Sequence, residues 1–447
     1  MELGARIRSM GPTWLAGAIA AGPATMASLL GAGAGYGYEL LWVVLLSAVL
    51  GATAQYLAAR LGVLTGEGLV STVEASLGNW WAWLLVVDVV LAAGLAQLVI
   101  MKTVADVTEM ATGVDAAVWG VVWAVVLAVG LVGGGYRVAE LGAKLVVSLV
   151  VLAFVGSLFV VPVDLGAAAG GTVPSLPTAD TALVAAGILG GAVHVTLVTM
   201  QSYTMQERGW TREDWELARF DVVVSMGVAF GVYSLAIFLV AASVFHQGPV
   251  PLGDLTTTRA ATALGPAVGG LAESLFLAGL VGAAVSTLGG NTTVPPYALA
   301  DKLGWDHDDN RYRAAVAVTA LASALGPALG GNVLELLVLV LAFGLVGTPF
   351  AIALVLYLLH DPDTVPERPP VVASVGGVVL LAVTSVSAGS WLRSTLAPYA
   401  SDPLGLLGAP KTLLAGVFAV VLALAALALG ARFVRERATG RTRASDA

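Results

Sequence analysis

The sequence predicts an all-α polytopic membrane protein of about twelve helices, and three observations carry that expectation. Hydrophobic residues fill 58% of the 447 positions and charged residues only 11%, with a mean hydropathy of +0.90. A soluble domain carries roughly 25% charge, so these side chains leave too little polar surface to cover a globule. Apolar runs of about 20 residues, the length that crosses a bilayer, recur along the whole chain. Glycine supplies 54 residues, as suits helices packed closely in lipid. The net charge of −8, with no basic-aromatic stretch, excludes nucleic acid as a partner. Zero Cys excludes disulfides, thiolate metal sites and cysteine nucleophiles.

The expected spans lie at 13–34, 38–60, 80–105, 115–134, 145–163 and 182–204, then 221–245, 270–298, 313–330, 334–358, 371–391 and 411–433. The first, sixth, eighth and ninth are interrupted by Gly, Pro or Thr. Arg137 and Lys144 mark the connection between the fourth and fifth. Of the 21 Lys and Arg, all but Lys102, Arg259, Arg393 and Lys411 fall on the side that holds both termini. The positive-inside rule makes that side cytoplasmic. The amino end, MELGARIRSM, reads as too short for a cleaved signal. The longest hydrophilic loops, Glu207–Arg219 and Asp301–Arg313, are too small for a soluble domain, and the tail from Arg432 reads as a topogenic anchor. One transmembrane domain, 1–447, is expected in a multi-pass cytoplasmic membrane protein, with the lipid bilayer as its constant partner.

Two spans look broken. In the first, Pro23 removes a backbone donor and Gly22 weakens the turn before it, so the helix unwinds mid-membrane. The freed carbonyls must meet protein, water or an ion. The sixth carries Gly187, Gly190 and Gly191 and then an intramembrane His194. These spans hold the same place in successive groups of five, about 11–163 and 182–358, with 371–391 and 411–433 appended. Interrupted helices at matching places point to an inverted-repeat transporter with a midplane site.

The stretch from Gly11-Pro12 through Ala24, then Tyr38-Glu39-Leu40-Leu41-Trp42 and Gln55-Tyr56-Leu57-Ala58-Ala59-Arg60-Leu61-Gly62, resembles the opening of the Nramp family of divalent-metal transporters. Ala186-Gly187-Ile188-Leu189-Gly190 is similar to the start of that family's sixth helix, Asp221 to its seventh and Ala342-Phe343-Gly344 to its tenth. The resemblance implies a LeuT-type fold, a five-plus-five inverted repeat with two further helices. It also implies a metal site, and there the sequence departs. The family's first-helix Asp-Pro-Gly-Asn reads Gly22-Pro23-Ala24-Thr25, and its sixth-helix Met-Pro-His reads His194-Val195-Thr196. A second His becomes Gln201, the third-helix acids become Gly94 and Gln97, and a tenth-helix Gln becomes Val338.

The residues expected to bind substrate are therefore Gly22, Ala24, Thr25, Gly191, His194 and Thr196. Asp88, His194, Gln97 and Gln201 are the candidates for proton coupling, because intramembrane ionisable groups are functional by default and imidazole titrates near working pH. Glu273 and Glu335 read as interface residues, and His246, His307 and His360 as solvated ones. Asp306-His307-Asp308-Asp309 reads as a solvated linker, and Gly289-Gly290-Asn291-Thr292-Thr293 with Pro295-Pro296 as a polar, kinked patch. No nucleotide loop, nucleophile-base pair or cofactor motif is present, so neither an enzyme nor a cofactor is expected. The function expected is alternating-access transport of a divalent metal or related small cation. The alternatives are a small organic solute or monovalent ion on the same fold, and a non-transporting receptor or scaffold.

Overall fold

A computed structural model describes residues 11–175, 181–246, 272–401, 407 and 409–439, and among them every regular element is helical. Hydrocarbon offers no hydrogen bonds, so apolar segments bond their own backbones, and helices result. The first span splits into α1 (Pro12–Ala20) and α2 (Pro23–Tyr36). Each opens on a proline, whose missing N–H falls among a helix's unbonded first donors. Next come α3 (Leu41–Thr65), the short α4 (Leu69–Leu77) and α5 (Asn79–Thr112). A left-handed glycine ends α2, α3 and α5 in turn: Gly37, Gly66 and Gly113.

The spans expected at 115–134 and 145–163 run instead as one helix, α6 (Ala116–Ser157). Glycines alone do not stop it, since each costs only about 1 kcal/mol in a helix. Arg137 and Lys144 accordingly lie within a helix rather than in a loop.

After α7 (Leu165–Gly170), the sixth span divides into α8 (Thr181–Val193) and α9 (Val195–Glu207). The seventh runs from α10 (Trp215–Ser225) through a π-helical stretch, Met226–Val232, into α11 (Tyr233–Phe245). Then follow α12 (Ala272–Leu303), α13 (Asn310–Ala322) with a 3-10 extension Ser323–Ala328, and α14 (Val333–His360). Last are α15 (Val371–Leu396) and α16 (Pro410–Thr439).

Eight helical stretches among the described residues are long and apolar enough to cross a membrane. The difference from twelve falls on the first span, which is broken, and the fifth, whose side chains lie partly outside the described residues. It falls also on the eighth, rich in Gly, Thr and Asn, and on the ninth, whose α-helical part has 13 residues. Burial separates centre from periphery: 94% of the apolar window of α8–α9 and 89% of that of α14 are enclosed, against 22% for α15 and α16. The last two helices turn Val372, Val386, Leu414 and Leu427 outward, as a lipid-facing surface requires. Arg6, Arg8, Arg259, Arg441 and Arg443, and the side chains of Lys411 and Glu273, lie outside the described residues.

One buried carboxylate sets the start of the broken pair. Asp221 of α10 accepts from the backbone N–H of Gly11 at 3.1 Å and of Thr13 at 2.7 Å, capping α1 from another helix. Gln201 of α9 donates to Thr13 Oγ1 at 2.8 Å, so α1, α9 and α10 share one knot. Asp221→Ala strands both donors and is expected to cost about 2–3 kcal/mol. Asp221→Asn, which keeps one acceptor, is expected to cost less. Thermal melts in detergent read both.

Candidate functional site between the broken helices

The first break is short and internally satisfied. Gly22 is extended (φ −72, ψ 179) between α1 and α2, and Pro23 offers no N–H. Thr25 Oγ1 donates to the freed carbonyl of Ala20 at 2.5 Å, and Gly22 N–H to Ile19 O at 3.1 Å. The second break is the single residue His194 (φ −52, ψ 139). The sequence reading places His194 in the break, and there it falls; α8 passes through Gly190 and Gly191 unbroken. They serve packing instead: a side chain at Gly191 would overlap Thr25 of α2, and one at Gly190 the Leu341 carbonyl of α14.

At the second break the carbonyl of Val193 accepts from Thr348 Oγ1 of α14 at 2.8 Å. His194 caps α9: its Nδ1 lies 2.8 Å from Thr196 Oγ1 and accepts from Thr196 N–H at 3.4 Å. Its Nε2 is turned to α14 at Gly344, where any side chain would overlap the ring, and has no hydrogen-bond partner among the described residues.

Gly22, Ala24, Thr25, Gly191, His194 and Thr196 all line one cavity of about 40 Å³ between the breaks. One water needs roughly 10–15 Å³ on this measure, so the space suits a few waters or a single partly hydrated ion. Thr287 and Asn291 of α12 complete the polar lining. Sequence reading placed Asn291 only in a flexible patch and missed Thr287; an Asn and a Thr four apart on one helix face was the available signal. No carboxylate lines the cavity, and no cluster of three or more His, Asp or Glu suited to a metal occurs among the described residues.

The coupling candidates lie elsewhere. Gln97 donates to Thr292 Oγ1 at 2.7 Å and accepts from Asn291 Nδ2 at 3.0 Å, so it meets the cavity only through Asn291. Gln201 is committed to Thr13. Asp88 is buried on α5 with Oδ2 unbonded, its carboxylate set against Gly347 of α14. Gly344 and Gly347 are one turn apart, so a single turn of α14 receives both His194 and Asp88. Of the remaining residues, Glu335 is exposed at the start of α14, and His246 is exposed. His307 pairs with Glu207 at 2.6 Å, and half-buried His360 bonds Leu356 O and Ser374 Oγ, so neither is simply solvated. Asp309 caps α13 through Arg311 N–H at 3.0 Å, which gives the acidic linker a structural use.

A family model described as natural resistance-associated macrophage protein-like matches residues 13–393. The divalent metal cation transporter MntH of Erwinia tasmaniensis is 31% identical over 302 residues, spanning 64% of this chain and 71% of the relative. MntH of Deinococcus radiodurans is 30% identical over 298 residues, spanning 63% and 67%. Among solved structures, the Eremococcus coleocola manganese transporter aligns with a TM-score of 0.73 at 17% identity, covering 95% of this chain and 94% of that one. MHP1, a nucleobase-cation-symport-1 family transporter, aligns at 0.58 and 16% identity, covering 96% and 93%. The shared fold is that of five-plus-five inverted-repeat transporters.

Gly344→Ala drives a methyl into the His194 ring and is expected to cost about 1–3 kcal/mol, as overpacking does. The double variant Gly344→Ala/His194→Ala is expected to recover most of that loss. Melting temperatures of the parent and the three variants measure the coupling.

Proposed function

Because the chain belongs to the natural resistance-associated macrophage protein (Nramp) family, we propose that it is a secondary transporter carrying a divalent metal cation across a membrane by alternating access. The observation that carries this is the small cavity, mostly apolar but offered Thr, Asn and His side chains, set between two helix breaks at matching places. The C-terminal ends of α1 and α8 direct their negative poles at it, and Thr25, Thr196, Thr287, Asn291 and His194 offer neutral donors and acceptors. The names of the MntH relatives support the metal as cargo. Two inverted repeats, about 11–163 and 182–358, rock around the cavity, and the appended helices stay with the lipid. Asp88 and His194, both set against α14, are the groups to which proton movement is assigned, with Gln97 and Gln201 as neutral neighbours.

A dication needs strong oxygen or nitrogen ligands and gains most from anionic ones. Here the freed carbonyls of Ala20 and Val193 already accept from Thr25 and Thr348, and no anion is present. Affinity is therefore low. Calorimetry on purified protein is expected to give manganese binding weaker than about 10⁻⁴ M, the range of sites with few charged ligands. Proteoliposome uptake at millimolar manganese is expected to be measurable and to fall in Thr25→Ala and His194→Ala. No uptake of any divalent metal would overturn the metal reading and leave a carrier of another small solute, or a scaffold, on this fold.

The missing anion can be restored. A side chain at Gly22 meets Thr287 Oγ1 at 2.5 Å and Ile19 O at 2.9 Å, so Gly22→Asp needs Thr287→Ala beside it, leaving only the Ile19 carbonyl to adjust. The pair is expected to tighten manganese binding by tenfold or more, because a charged ligand contributes about 1.5–3 kcal/mol. Both termini are taken as cytoplasmic. In that case single cysteines at Asp308 and Asp164, both exposed, label from opposite faces.

A further inference from the structure

We propose that Asp301 closes one face of the transporter by latching α9 and α12 onto the start of α4. The helix α4 has no cap of its own, because its N-cap residue is Gly68, which has no side chain. Its first three N–H groups are bonded from other elements. Leu69 N–H donates to Ser202 Oγ of α9 at 3.1 Å. Val70 and Ser71 N–H both donate to Asp301 Oδ2 of α12 at 3.1 Å. The same oxygen accepts from Tyr203 OH of α9 at 3.0 Å. One carboxylate oxygen therefore ties three helices together. Gly68 admits it, since a side chain there would overlap both Asp301 and the Tyr203 ring.

Neighbouring contacts run the same way. Lys302 bonds Glu74 of α4 at 3.0 Å and lies over the Trp83 ring at 5.1 Å. Tyr203 stacks on Tyr297 with ring centroids 5.7 Å apart, and Gln206 Nε2 donates to Gly66 O at 3.2 Å. The contacts of Ser202, Tyr203 and Gln206 engage the end of α9 remote from His194, roughly 12–20 Å beyond the break at 1.5 Å per residue, while Lys302 fastens α12 to α4. A helix that hinges at one extended residue swings most at its far end, and that is the end fastened here. Opening the cavity toward this face requires α9 to leave α4 and α12, so Asp301 opposes that motion while the outer parts of α2 and α8 stay unconstrained by it.

The inference rests on the alternating-access reading, but its test does not need transport. The chain has no cysteine, so single reporters are unambiguous. Full-length protein in liposomes carries Thr196→Cys, which lines the cavity, or Asp308→Cys, which is exposed beside the latch and identifies its face. A membrane-impermeant maleimide is applied to each face. Asp301→Ala is expected to speed Thr196→Cys labelling from the Asp308 face by about tenfold or more, the equivalent of one charge-assisted hydrogen bond. Labelling from the other face is expected not to rise. Tyr203→Phe, which keeps the stack on Tyr297, is expected to give a smaller rise with the same sidedness. Unchanged labelling in folded Asp301→Ala, or an equal rise from both faces, overturns the latch. Should Asp301→Ala not fold, Tyr203→Phe decides alone, and no change there overturns it. One-sided opening in a protein that moves no cation would sustain the latch and remove only the transport reading.

Discussion

Two helices stop in the middle of a hydrocarbon layer, and each stop leaves carbonyls that lipid does not bond. The interior is organised around supplying those bonds. Thr25 answers Ala20 at the first break, and Thr348 answers Val193 at the second. His194 closes the N-terminus of α9 with its own ring nitrogen. Because protein hydroxyls supply the missing partners, the breaks are stable without an ion. The same fact explains why the cavity is small and uncharged, since groups that hold the backbone are only partly available to hold a substrate.

One turn of α14 does more for this centre than any stretch of the broken helices themselves. Gly344 makes room for the His194 ring, Gly347 for the Asp88 carboxylate, and Thr348 bonds the second break. Three small residues within five positions thus receive two buried ionisable groups and one orphan carbonyl. A methyl at either glycine would push an ionisable group out of its seat, which makes α14 the element whose movement the site would feel first. Pro349 follows directly, so this turn of helix also lacks a backbone donor and is less stiffly held than its neighbours.

The fold was legible where physics acts locally. Composition announced the membrane, and Gly22-Pro23 announced the first break at the residue where it occurs. The second break is legible at His194; the role of the glycines before it is not, because glycine suggests flexibility as readily as close packing, and only the neighbours of Gly190 and Gly191 decide between them. The merging of the fourth and fifth spans was hidden for a related reason: two charged residues look like a loop, although a helix carries them without breaking. The lining from α12 was the least visible part. Thr287 and Asn291 share a helix face by their four-residue spacing, but only tertiary packing shows that this face, and not that of Thr292, meets the cavity.

The distribution of charge completes the picture. Removing anions from the cavity has not removed them from the machine; they sit at its ends. Asp221 caps α1, Asp301 caps α4, and Lys302–Glu74, Glu207–His307 and Arg60–Glu367 join loops and helix ends. In two of these pairs the cation, Lys302 or Arg60, is buried and the carboxylate reaches solvent. A carboxylate bonded to backbone N–H groups is roughly twice as strong as a neutral hydrogen bond. Surface pairs such as Arg219–Glu216 then tune the conformational balance only slightly. Asp221 and Asp301 each join separate helices through backbone N–H groups at a helix start, which ordinary surface pairs do not.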